Sequence, residues 1–175
     1  MCVTHVESVS RIWVVEEESS QEALNDLMSE LAAIKDSLQP VTPGELKNGE
    51  IYAAKYSLDG DLYRVKIIES DSSTAEVVYI DYGNSEEVEL KDFYQLPASL
   101  TGCAALARPV SIRGAQFALD SEEGRERLKS HLTEGSVCLT GGGGGGGDCA
   151  VMVDGKPLNL QYLLKCKVGR CHYKL

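Results

Sequence analysis

Between residues 50 and 96 apolar and polar positions alternate in short runs, EIYAAKYSLDGDLYRVKIIESDSSTAEVVYIDYGNSEEVELKDFYQL. The runs break at Asp59-Gly60, at Asp71-Ser72-Ser73 and from Asp81 to Asn84. A period of two interrupted by Asp, Gly, Ser and Asn predicts antiparallel strands joined by tight hairpins, in a small, strongly bent sheet. Upstream the period changes. Ser19 followed by Glu22 has the spacing of a capping box, and Ala23, Leu24, Leu27, Met28, Leu31, Ile34 and Leu38 recur every three or four residues. That spacing predicts an amphipathic helix, stopped before Pro40, whose apolar stripe packs on the chain's own sheet.

Strand-like runs also stand near both ends, at 3–7 and 11–17, within 104–112, and at 136–139 and 149–153, the last followed by an Asp154-Gly155 turn. A second helix is expected after Asp120, which with Glu123 three residues on would form its cap. Leu128, Leu132 and Ala118 or Leu119 would supply the apolar face of that helix, and 159–164 reads as a brief terminal helix. Each outer strand group is too small to bury a face alone. Together they could close one barrel around the tyrosine-rich module, entered through the connector 39–49 and left past Pro97. Seven glycines at 141–147 offer no side chains to pack and a high entropic cost of ordering. They predict a flexible spacer substituted for a longer loop, since the spaced glycines and Lys-Ser/Thr of a nucleotide loop are missing.

The 175 residues allow one domain or two small ones, and 43% hydrophobic residues suffice for a core. With 27 acidic against 17 basic residues the formal charge is −10. Apart from a short basic run at 165–170, no footprint for a phosphate backbone is visible, so no direct nucleic-acid partner is expected; the field favours a basic partner such as an arginine-rich tail. Six scattered cysteines, with no signal-peptide pattern and no apolar run of about 18 residues, predict a reduced, intracellular chain without a membrane segment. No cofactor or metal is expected: Cys166 and Cys171-His172 lack a second ligand pair at zinc spacing. Catalysis is not expected either. Glu16, Glu17 and Glu18 resemble a solvated strand end, Arg11 and Arg113 stand alone, and His5, His131 and His172 lack a nucleophile and orienting carboxylate at a suggestive spacing.

The candidate chemistry lies in the tyrosines. Tyr56 precedes the Asp-Gly turn, Tyr63 follows it, and Tyr79 and Tyr82 flank the next bend with Asn84 behind them. Strict alternation would put Tyr79 and Tyr82 on opposite faces, but the chain has left the strand by Asp81, so a turn can bring both to one rim. Four rings on neighbouring hairpins could box a bulky, poorly hydrated cation, with quadrupole faces for the charge, apolar walls for methyl groups and Asn84 at the edge. Half-buried packing tyrosines beside ordinary turn residues would give the same pattern.

The order Ala54-Lys55-Tyr56, Asp59-Gly60, Leu62-Tyr63-Arg64, then Val78-Tyr79-Ile80-Asp81-Tyr82-Gly83-Asn84 and Glu87-Val88 resembles the germline, methylarginine-reading type of Tudor domain. The resemblance implies that Tyr56, Tyr63, Tyr79, Tyr82 and Asn84 form a cage for symmetrically dimethylated arginine. Leu62 stands where a Trp is common in that family, and the loop 57–61 is slightly long. Nearly the whole chain is similar to an extended Tudor domain, with a departure at the tail after 164. The implied fold is mainly β with helices (α+β): a Tudor barrel, 45–97, inserted into a staphylococcal-nuclease-like or OB-like barrel made of 1–44 and 98–175 and joined by a long helix. The implied function is a non-catalytic module that reads Arg-Gly or Arg-Ala peptides, such as the tails of Piwi-family Argonautes, as a piRNA-pathway scaffold in cytoplasmic, perinuclear germline granules. The alternative is a scaffold that holds an unmethylated partner through the inter-lobe groove or the helix. Glu86, Glu87 and Glu89 could draw flanking arginines or be a plain solvated strand.

Overall fold

The computed structural model describes residues 2–15, 19–115, 120–134, 137–140 and 148–159. They fall into two compact units: Val14–Arg108, and Val3–Trp13 with the described residues from Pro109 onward. The chain opens with β1 (Cys2–Ser8) and β2 (Arg11–Val15), followed by helix α1 (Ser19–Ile34). Next come β3 (Ile51–Lys55), β4 (Leu62–Ser70), β5 (Thr74–Tyr79), β6 (Ser85–Glu89) and β7 (Phe93–Tyr94). A short α2 (Ala98–Thr101) leads to β8 (Arg108–Ile112), α3 (Glu122–Glu134), β9 (Val137–Thr140), β10 (Asp148–Val153) and β11 (Lys156–Pro157). The described residues are mainly β with a few helices, in two sheets.

The first sheet has the order β6-β5-β4-β3-β7, antiparallel throughout. Alternation sorts its side chains. Tyr52 and Ala54, Val65 and Ile67, and Ala75, Val77 and Tyr79 share one buried cluster with Val88 and Phe93. The opposite parity, Ala53 and Leu62, packs with Leu27 and Leu31 of α1 and with Leu96 and Leu100. The α1 stripe therefore packs on the chain's own sheet, as its spacing predicts, and each buried leucine contributes about 1.5–3 kcal/mol by leaving water. The hairpins fall at the expected breaks. Gly60 turns with φ +74, its N–H donating to the Tyr56 carbonyl (2.9 Å). At the next turn Asp71 Oδ1 accepts from the N–H groups of Ser73 (2.7 Å) and Thr74 (2.9 Å). A register shift between Ile67 and Glu69 marks a bulge, which bends β4.

The second sheet has the order β1-β2-β8-β10-β11, with β9 also on β10. The Ile112 N–H donates to the Ser10 carbonyl (2.8 Å), and β10 runs parallel to β8 but antiparallel to β9. Asp154 (φ 49) and Gly155 (φ 73) supply the two left-handed residues of the tight turn into β11. The cap of α3 differs from the expectation. Ser121, not Asp120, precedes the helix and accepts the Gly124 N–H on its hydroxyl (3.1 Å). Asp120 is drawn elsewhere: it accepts from the Val9 N–H (3.1 Å) and from Arg125 Nη1 (2.7 Å). The side chain of Ser19, residues 16–18, Ala118, Leu119, the glycine run, the segment 160–164, the basic run at 165–170, Cys166, Cys171 and His172 lie outside the described residues. No helix among the described residues is long and apolar enough to cross a membrane.

Candidate functional site

Three of the four tyrosines extend the inward stripe of adjacent strands at one end of the first sheet. Ala54 pairs with Tyr63, and Val65 pairs with Tyr79. Tyr56 lies two residues beyond Ala54 and keeps its parity. Tyr82 arrives by a turn: its N–H (3.1 Å) and that of Gly83 (2.7 Å) both donate to the Tyr79 carbonyl, and Gly83 has φ +96. A side chain at Gly83 would be strained in that left-handed conformation.

The rings meet edge to face. Tyr56 and Tyr79 have centroids 5.1 Å apart; Tyr63 is the hub, 5.8 Å from Tyr56, 5.8 Å from Tyr79 and 5.4 Å from Tyr82. Interplanar angles of 71° to 84° bring the positive edge of one ring to the negative face of another. Tyr79 is 1% exposed and forms the floor, whereas Tyr56, Tyr63 and Tyr82 are half-buried. Asn84, also half-buried, joins the cluster through its backbone carbonyl, which accepts the Tyr79 N–H (2.9 Å). The structure thus brings the four predicted rings together and sets Asn84 at the turn behind them.

Two carboxylates brace the hydroxyls. Asp59 Oδ2 accepts from the Tyr63 hydroxyl (2.8 Å) while its Oδ1 accepts the Asp61 N–H (2.9 Å). Glu86 accepts from the Tyr79 hydroxyl, from the Ser57 hydroxyl (2.7 Å) and from the Ser57 N–H (3.2 Å), tying β6 to the loop after β3. Burial, then the bonded carboxylate, raises the ionisation of Tyr63 and Tyr79 above the ordinary phenol range; for Tyr82 burial comes first, then the charges of Asp81 and Asp59. These three phenols stay neutral at physiological pH, so the rings offer quadrupole faces and no charge of their own.

Beneath the turn lies a buried ion pair. Arg64 donates to Asp81 through Nε (2.9 Å) and Nη2 (2.6 Å), and to the carbonyls of Leu100 (2.8 Å), Cys103 (2.9 Å) and Ala104 (2.9 Å). All five guanidinium donors are used. Asp81 also accepts the Leu106 N–H (3.1 Å), and the two side chains are 1% and 3% exposed. Asp81 lies between Tyr79 and Tyr82, so the pair fixes the bend that delivers the fourth ring.

Asp59, Arg64 and Asp81 are absent from the set of site residues inferred from the sequence, and Glu86 figures there only as one of three carboxylates that could draw flanking arginines, not as a brace of Tyr79. The one available signal is Arg64, a charge inside an apolar strand on the face that carries Leu62. Glu87 bonds the Thr74 hydroxyl and Glu89 pairs with Lys91, so neither carboxylate is unengaged. An open acidic concavity of about 550 Å³, lined in part by Glu69, Asp71, Glu76, Glu86 and Glu87, shares only Glu86 with the hydroxyl braces of the ring cluster.

The model of the Tudor domain family matches residues 1–114. The chain belongs to that family. It is 32% identical over 111 residues to Staphylococcal nuclease domain-containing protein 1 of Drosophila melanogaster, covering 61% of this chain and 12% of that protein. It is 28% identical over 126 residues to Protein tudor of the same organism, covering 72% of the chain and 5% of that protein. The chain therefore spans a small part of the length of these relatives. Its fold is similar to the human TDRD1 extended Tudor domain, solved in complex with a symmetrically dimethylated peptide, at TM-score 0.78 and 18% identity over 94% of this chain and 84% of that one. It is likewise similar to Tudor in its complex with Aubergine R13(me2s), at TM-score 0.75 and 22% identity over 93% and 96% of the two chains.

Proposed function

We propose that this chain is a non-catalytic binding module that takes symmetrically dimethylated arginine into the cluster of Tyr56, Tyr63, Tyr79 and Tyr82, with Asn84 at its edge. The observation that carries the reading is the convergence of Tyr56, Tyr79 and Tyr82 on Tyr63, with the Tyr79 floor held by Glu86 and the bend that carries Tyr82 held by the Arg64–Asp81 pair. Dimethylation keeps the guanidinium charge, adds apolar surface and removes donors that water would otherwise solvate. A neutral aromatic cluster gains from each change. The relatives solved with dimethylated peptides support the ligand class.

The partner in this reading is an arginine-methylated tail rich in Arg-Gly or Arg-Ala, of the kind borne by Piwi-family Argonautes, with no direct contact to nucleic acid. The module serves as a piRNA-pathway scaffold in cytoplasmic, perinuclear germline granules. Its architecture in this reading is a Tudor core, 45–97, inserted into a staphylococcal-nuclease-like barrel formed from 1–44 and 98–175. Affinity for a single mark is micromolar, about −7 to −8 kcal/mol, as expected of a small exposed site. Isothermal titration of matched peptides tests it: the dimethylated tail binds and the unmethylated one binds at least about tenfold more weakly, a difference of about 1.4 kcal/mol. Equal binding of both would remove the methyl-reading function and leave a peptide scaffold.

A further inference from the structure

The ring cluster can favour a cation over a neutral apolar side chain only so far as quadrupole faces allow, because its phenols are uncharged. The loop after β3 carries two carboxylates, and the fold treats them differently. Asp61 forms an exposed ion pair with Lys35 (3.2 Å), and its charge is felt by Tyr63 as the smallest of the influences on that ring. Asp59 has no cation at ion-pair distance among the described residues. It is exposed at the rim and holds the hydroxyl of Tyr63, the ring that touches the other three. Its second oxygen is fixed by the Asp61 N–H, so the loop sets the carboxylate's position. Glu86 differs: it is half-buried and its two oxygens accept three hydrogen bonds.

We infer that Asp59 is a specificity-determining residue of this site, the counter-charge that selects a cationic guanidinium at the mouth of the tyrosine cluster. The inference rests on the proposed methylarginine reading and deepens it. Its field also reaches the floor and the fourth ring, since the Asp59 charge helps to keep both Tyr79 and Tyr82 protonated.

The test uses the whole chain and a ligand with one charge, a symmetric dimethylarginine residue capped at both ends, titrated by NMR at about 0.05 M and about 0.5 M salt. Asp59→Asn retains an oxygen for the Asp61 N–H and an amide that can face the Tyr63 hydroxyl, so it removes charge with little change of shape. At low salt it is expected to weaken binding about fourfold, the factor a unit charge about 5 Å away supplies in a water-like dielectric. The difference should shrink at high salt. Asp61→Asn, which removes a charge already paired with Lys35, should change binding less than about twofold. The inference is overturned if Asp59→Asn binds as the parent chain does, if Asp61→Asn loses as much, or if the Asp59→Asn loss is the same at both salts. That last result would make Asp59 a purely positional brace. Failure of the parent chain to bind the capped residue at either salt would instead remove the methylarginine reading itself, and this inference with it.

Discussion

The two sheets differ in where they keep their charges. In the second sheet the buried side chains are almost wholly aliphatic: Val6, Ile12 and Val14 near one end of the chain, Val110, Ile112, Val151 and Val153 near the other. The first sheet encloses Arg64 and Asp81, the only charged side chains buried among the described residues. A buried ion pair is weak evidence of stability, because taking two charges out of water offsets much of their attraction. What this one gives is position. Its partners are Leu100, Cys103, Ala104 and Leu106 on one side and the Tyr79–Tyr82 bend on the other, so its bonds fix the segment that carries the fourth ring.

The largest effect that would sharpen this comparison comes from breaking that pair. Asp81→Asn leaves Arg64 buried without its counter-charge and should cost about 3–5 kcal/mol, a large share of the roughly 5–15 kcal/mol that holds a domain together. Urea unfolding followed by circular dichroism checks it. Glu89→Gln, which removes one partner of an exposed pair on the same sheet, should leave the urea midpoint unchanged. Equal behaviour of the two variants would show that burial of the pair carries no structural weight.

A smaller effect concerns the rings. Folded Tyr63, Tyr79 and Tyr82 release their protons above the ordinary phenol value of 10.0, chiefly because burial disfavours the phenolate. As pH rises past 10.0 the unfolded chain loses these protons first, so stability contributed by the neutral phenols is present below that value and lost above it. Tyrosinate absorbance of these three should therefore grow together with the loss of far-ultraviolet circular dichroism. Ionisation of all three in a chain that keeps its full ellipticity would break the comparison, since the cluster would then be as solvated as a surface.

How much of this arrangement could be read from the chain follows the same division. The first sheet is built from consecutive hairpins, so the parity that places Tyr56, Tyr63 and Tyr79 on one face is visible in local alternation, and the Asp81 to Asn84 turn explains Tyr82. The helix stripe was equally legible, because Leu27 and Leu31 share one face of α1. The braces were not. Glu86 finds Ser57 across 29 residues and Arg64 finds Leu100 across 36, and no local period encodes either meeting. Asp120 and Ser121 are both good caps; Ser121 takes the Gly124 N–H, while the Asp120 carboxylate bonds Val9 and Arg125, contacts that no local pattern announces. The pairing of β2 with β8 joins segments from opposite parts of the chain, which turn signals alone cannot foresee.

The smallest expected effect belongs to the second sheet and tests whether its aliphatic character leaves any titrating group with a structural part. His5 of β1 is half-buried in a concavity of about 280 Å³, lined also by Glu122, Arg125, Glu126 and Lys129 of α3. Burial, the largest cause, depresses its ionisation below 6.5; Glu7 opposes that shift and Lys129 adds to it. Because the folded state binds the proton more weakly than the unfolded state, the contribution of neutral His5 is complete above 6.5. It is lost progressively as pH falls through 6.5 toward the folded value. The urea midpoint of the parent chain should then drop between about pH 7 and pH 5 more steeply than that of His5→Gln, which cannot take up the proton. Parallel pH profiles for the two chains would mean that α3 yields enough to solvate the imidazolium, and that the margin of this sheet is softer than its aliphatic core.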